Sequence, residues 1–145
     1  MERRRTHDAG GPGRAAVHIL LIDDDEQERE RIRTVIARDV APVEIREIAN
    51  HVGFYQALQE NQFDAVITEQ DLHWSSGQEV LTAVKSLRPG VPVIMVAANK
   101  NDEVATAALG DGLDVYLPKG DGFSARLRAG LRSALRRIEF EERIE

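Results

Sequence analysis

Val17-His18-Ile19-Leu20-Leu21-Ile22 is followed at once by Asp23-Asp24-Asp25-Glu26. An apolar, β-branched run of this length predicts a strand buried on both faces, and the acidic cluster places several carboxylates at its carboxyl edge. That edge is where open α/β sheets keep their sites. Two carboxylates about 4 Å apart repel by roughly 4 kcal/mol at an effective dielectric near 20, so adjacent acids there call for a cation between them.

Further strands follow at regular intervals. Val43-Glu44-Ile45-Arg46-Glu47-Ile48 mostly alternates, as expected of a half-exposed strand near a sheet edge. Ala65-Val66-Ile67-Thr68 predicts a third strand ending on Glu69, residues 91–98 a fourth, and residues 113–117 a fifth with Lys119 just beyond it. Between them, Ile32, Val35 and Ile36 mark an amphipathic helix over residues 26–39. Phe54, Tyr55, Ala57 and Leu58 mark a short one, Val80, Leu81, Val84 and Leu87 a helix opened by Gly77, and Val104 to Leu109 a small Ala-rich one. From Gly122 the chain reads as helix to its end, with Leu127, Leu131, Ala134 and Ile138 on one stripe. Alternation of strand and helix with short connections calls for a doubly wound α/β fold, a five-stranded parallel sheet with helices on both faces. The first and third strands end on acids and the fifth on a lysine, so these ends should converge if the strands are neighbours.

With 145 residues, 42% of them apolar and 30% charged, the chain has the composition of one soluble domain with a real core. Residues 1–14, with Arg3, Arg4, Arg5 and four Gly and Pro residues over 10–13, are expected to form a disordered arm. Residues 15–137 would then be the domain. The net charge of -6 argues against nucleic-acid binding by it. Cysteine is absent, which excludes disulfides and thiolate metal sites. No apolar stretch is long enough to span a bilayer and no signal-peptide core is present, so the expectation is a cytoplasmic protein without a membrane partner.

The order Ile22-Asp23-Asp24-Asp25, an acid after the third strand, Gly77 eight residues beyond it, a small residue ending the fourth strand, and Tyr116 three residues before Lys119 resembles the receiver domain of two-component response regulators. The resemblance covers roughly residues 17–137 and implies a flavodoxin-like sheet of strand order 2-1-3-4-5. It implies a Mg2+ site in which Asp24 is the direct ligand, Asp23 a water-mediated or second one, and Asp71 a donor through its backbone carbonyl. It also implies that an aspartate ending the third strand takes a phosphoryl group from a histidine kinase, while a fourth-strand hydroxyl and Lys119 hold the oxygens and Tyr116 reports the change.

Two positions depart from that pattern. Glu69 stands where the family has the acceptor aspartate, and Ala97 stands where it has the hydroxyl. The extra methylene of glutamate moves the carboxylate outward by about one bond length, which misplaces an in-line attack. The expectation is therefore a degenerate receiver, or pseudo-receiver, that acts by protein contact with a histidine kinase, another signalling protein or a fused output domain, its Mg2+ weakly held or lost. Glu69 paired with Lys119 would partly imitate the phosphorylated form. Smaller departures are Gly120 in place of the usual proline and His73-Trp74 in place of a proline-containing turn.

Other readings stand beside this one. A register slip of two residues would make Asp71 the acceptor of an ordinary, phosphorylatable receiver, and Glu69 itself is the other candidate acceptor. Asp23 and Asp25 also fit the two-aspartate signature of haloacid-dehalogenase-type phosphatases, although the later threonine or serine and the cap insertion are missing. A flavin-binding flavodoxin fails because four acids would face the flavin phosphate. The acids could equally be a solvated cap, with Asp24 or Asp25 the N-cap of the first helix, and Tyr116 a packed sheet residue. Residues 138–145, with Ile138, Phe140 and Ile144, extend the last helix beyond what a receiver sheet covers, and their apolar side chains call for a homodimer partner or mark a linker to a further module.

Overall fold

The computed structural model describes residues 16–143, with side chains for residues 16–137. The expected arm at 1–14 and the side chains of Ile138, Phe140 and Ile144 lie outside the described residues. Strands β1 (Val17–Ile22), β2 (Val43–Ile48), β3 (Ala65–Glu69), β4 (Val93–Ala97) and β5 (Val115–Pro118) alternate with helices α1 (Glu26–Asp39), α2 (His51–Glu60), α3 (Gly77–Leu87), α4 (Asp102–Gly110) and α5 (Phe123–Arg143). The strands form one parallel sheet in the order β2-β1-β3-β4-β5.

Strand periodicity divides the core in two. Ile19 and Leu21 point to one face, where Ile32, Val35 and Ile36 of α1 and Leu127 and Leu131 of α5 cover them. Leu20 and Ile22 point to the other, against Phe54 of α2, Val80, Leu81 and Val84 of α3 and Ala108 of α4. Successive side chains of a strand face opposite ways, so a strand covered on both sides must be apolar throughout. Every residue of β3 and β4 is buried; β4 is apolar throughout, and β3 is apolar up to Thr68 and Glu69 at its carboxyl end.

Two strands begin later than the sequence predicts. Val91 is buried, but its N–H bonds Arg88 O at 3.1 Å in the turn after α3, and Pro92 has no N–H, so β4 begins at Val93. Leu113 likewise returns its N–H to Ala108 O, 3.0 Å away, closing α4 before β5 begins. β5 runs one residue further, to Pro118, which an edge strand tolerates.

Gly77 ties α3 to the end of β3. Its N–H donates to Gln70 O at 2.8 Å, and a Cβ there would lie 2.9 Å from Glu69 O and 3.1 Å from Gln70 Cα. The helix can approach the strand this closely only without a side chain. Glu69 is thereby the last residue of β3, in the register that the spacing to Gly77 predicts.

Candidate functional site

The carboxyl end of β1 delivers Asp23 into the protein and the end of β3 delivers Glu69 beside it, with Ile22 and Thr68 paired across the two strands. β5 is not their neighbour, since β4 lies between β3 and β5. Convergence is achieved by the reach of a lysine instead of by strand adjacency: Lys119 Nζ lies 3.1 Å from Glu69 Oε1, 2.9 Å from Glu28 Oε1 and 4.0 Å from Asp23 Oδ2. Ala97, fully buried at the end of β4, offers no polar group there, and its carbonyl accepts the Lys119 N–H at 2.9 Å. Gly120 follows with φ at 128°, a conformation closed to proline, so the loop after Lys119 follows a path of its own.

Three carboxylates thus surround one ammonium. Asp23 is 5% exposed, and its Oδ1 accepts the Asp25 N–H at 2.9 Å. Burial pushes its pKa from 3.8 to about 6; the hydrogen bond from Asp25 and the charge of Lys119 pull it down, while Glu69 and Glu28 push it up. Burial also works to lower the Lys119 pKa, but its hydrogen bond to Glu28 and the charges of Glu69 and Glu28 prevail and hold the ammonium above the ordinary lysine value. Glu69 is 7% exposed; its Oε2 accepts the Ala98 N–H at 3.3 Å, while Oε1 meets the ammonium off the hydrogen-bonding direction.

Asp24 has a different destination. Its Oδ1 accepts the Trp74 indole N–H at 2.9 Å and its Oδ2 the His73 backbone N–H at 2.5 Å, with His73 Nδ1 3.5 Å from the same oxygen. Trp74 rests on Phe54 and His51, with ring centroids 5.9 and 6.1 Å apart. Asp71 is exposed; its carboxylate receives Gln70 Nε2 at 3.1 Å, and the residue pairs with Ser76 in a small bridge that closes the β3–α3 loop. Asp25 is the N-cap of α1, its Oδ1 accepting the Gln27 N–H at 2.9 Å. Tyr116 donates its hydroxyl to Gln70 Oε1 at 2.5 Å and accepts the Asn101 N–H at 3.0 Å. Of the residues singled out in the sequence, Asp23, Glu69, Ala97 and Lys119 therefore meet, while Asp24 and Asp71 point their carboxylates elsewhere.

Two residues in this region escaped sequence reasoning. Glu28 is three residues after the N-cap Asp25, the spacing from which a carboxylate reaches back toward the start of its helix, and that signal was available. Gln70 carries no signal, being a lone neutral residue after a strand.

A profile of the response regulator receiver domain matches residues 19–129. The chain belongs to the response regulator receiver family. This receiver is 32% identical over 127 residues to the transcriptional regulatory protein GltR of Pseudomonas aeruginosa, covering 86% of this chain and 51% of GltR. It thus spans about half the length of the curated relatives it matches. A CheY-like receiver domain protein from Methanospirillum hungatei shares the fold, with a TM-score of 0.78 at 23% identity over 88% of this chain and 99% of that one. A signal receiver domain from Clostridium thermocellum does so with a TM-score of 0.73 at 27% identity, over 82% and 97% of the two chains. As a receiver the chain is a signalling module and not a classical enzyme, which displaces the phosphatase reading of Asp23 and Asp25.

Receivers typically bind Mg2+, a hard cation that takes several oxygen donors in near-octahedral geometry. As arranged here, the residues do not fit one. Asp24 has both oxygens engaged by the β3–α3 loop, Asp23 has one in a turn with Asp25, and the Lys119 ammonium stands among the remaining acids. Among the described residues no group of three acids or histidines is placed to hold a metal ion.

Proposed function

We propose that this receiver is a pseudo-receiver, a module of two-component signalling that works by protein contact without the usual aspartyl phosphorylation. The observation that carries the reading is the position of Glu69: at the end of β3, buried, its carboxylate 3.1 Å from Lys119. The ammonium that would meet an incoming phosphoryl oxygen is already paired, and Ala97 supplies no hydroxyl to bind such an oxygen. A permanent Glu69–Lys119 pair puts negative charge where phosphorylation would add it, which supports partial imitation of the phosphorylated form. The arrangement of Asp24 supports a weakened or lost Mg2+ site in the same direction.

The partners we assign are a histidine kinase or other signalling protein, or an output domain on a longer chain, and the location we assign to this chain is the cytoplasm. The transcriptional regulatory role in the name of GltR makes an output domain the natural comparison, since this chain matches only about half of that protein. The residues 138–145 would then serve as a linker or as a dimer helix.

Intact mass after incubation with Mg2+ and a small phosphodonor tests the reading, run on the native chain and on Glu69→Asp side by side. The expected result is no phosphoryl group on the native chain. A phosphorylated native chain would overturn the proposal, and mapping the site to Glu69 or Asp71 would identify the acceptor.

A further inference from the structure

Gln70 follows Glu69 directly and is 4% exposed, though it is neutral and polar. A primary amide is costly to bury unless its hydrogen bonds are met, and here they are met on both sides. Nε2 donates to Asn99 O and to Asp71 Oδ2, each at 3.1 Å, while Oε1 accepts the Tyr116 hydroxyl at 2.5 Å. The two acceptors facing one end of the amide set its orientation, because a carbonyl oxygen turned toward them would find no donor. The Gln70 backbone is held as firmly, its N–H on Val96 O at 2.7 Å and its carbonyl on the Gly77 N–H at 2.8 Å.

The Tyr116 hydroxyl continues the chain of bonds. It accepts the N–H of Asn101 at 3.0 Å, and Asn101 is the N-cap of α4, its side chain accepting the Val104 N–H at 3.0 Å. An unbroken series therefore runs from the end of β3 through Gln70 and Tyr116 to the first turn of α4. The side chain of Ala97, a methyl group, takes no part in it.

We infer that Gln70 is a positioning residue that holds Tyr116 and, through it, the N-terminus of α4, so that a change at Glu69 reaches α4 through an amide and not through a fourth-strand hydroxyl. This goes beyond the pseudo-receiver reading and holds whether or not Glu69 ever carries a phosphoryl group.

Amide hydrogen exchange at Asn101 and Val104, followed by NMR in the full chain, tests it with Gln70→Leu, Tyr116→Phe and the double variant. Gln70→Leu should speed exchange of the Asn101 amide about tenfold, as the loss of one hydrogen-bond anchor predicts, and Tyr116→Phe should do the same. The double variant should add nothing to either. In the native background Glu69→Gln should shift the Asn101 amide resonance, and in the Gln70→Leu background it should not. Asn101 protection that survives in Gln70→Leu but is lost in Tyr116→Phe would overturn the inference, as would a Glu69→Gln shift of equal size in both backgrounds. If Gln70→Leu does not fold, Gln70→Met, which keeps the length and removes both polar ends, is judged by the same outcomes.

Discussion

Asp23 and Asp24 are adjacent and chemically identical, yet they end in opposite kinds of surroundings. Asp23 is enclosed with Glu69, Glu28 and Lys119 in a cluster with more negative than positive charge. Asp24 lies at the rim and is satisfied by the N–H groups of His73 and Trp74, with no full charge needed opposite it. The first arrangement is held by charge in a poorly solvated place, so its strength follows protonation. The second is held by donor geometry and follows the position of one loop. A receiver site that combines the two has used one of its acids as the anchor of its own β3–α3 loop.

Lys119→Met is the most severe way to break the ionic side. It leaves Asp23, Glu28 and Glu69 facing one another without their ammonium, and removing one partner of a buried ion pair costs about 3–5 kcal/mol. Urea denaturation at pH 7 should show a loss near the lower figure, because Lys119 keeps some solvent contact. The loss should shrink at pH 5, where Asp23 takes up a proton. An equal loss at both pH values would mean that the cluster does not act through charge.

Asp23→Asn should have a smaller effect of opposite sign. The folded-state pKa of Asp23, about 6, lies above its ordinary value of 3.8, so the native state holds a proton that the unfolded chain gives up. The stability this contributes is fully present below about pH 3.8 and is lost as pH rises through about 6. Asparagine keeps the acceptor for the Asp25 N–H and removes the buried charge. The variant should be more stable than the native chain by about 1–2 kcal/mol at pH 7, with a flatter stability profile between pH 4 and 6. Thermal melts across that range check both points.

Trp74→Phe tests the other side and should have the smallest effect. It removes the indole N–H from Asp24 and keeps a ring against Phe54, for a loss of about 1 kcal/mol that does not change between pH 5 and 7. With one oxygen of Asp24 released, Mn2+ should bind more tightly than to the native chain, as read from water-proton relaxation. Unchanged Mn2+ affinity would show that Trp74 is not what keeps Asp24 from a cation.

The alternation of strands and helices was legible in the chain because its physical cause is local. Period-2 and period-3.6 burial leave direct marks in the order of apolar residues, as in Ile19 to Ile22 or Val80, Leu81 and Val84. The end of β3 at Glu69 was legible too, since the distance to Gly77 is set by how closely α3 must approach the strand. Strand boundaries were less so: Val91 and Leu113 are as buried as strand residues, but their N–H groups close turns. Apolarity records burial and not the partner of a backbone amide.

By itself, then, the sequence determined the layered α/β architecture, the acids at two strand ends and the lysine beyond the fifth strand, the absence of thiol chemistry, and a glutamate and an alanine, Glu69 and Ala97, ending the third and fourth strands. Only the tertiary structure decided that Asp24 turns to Trp74, that Glu28 joins Lys119, and that Gln70 carries Tyr116. The physical reason is that a charge or an amide at a strand end has several partners within reach, and the choice among them depends on loops and helices that are distant in the chain and meet only when the sheet is assembled.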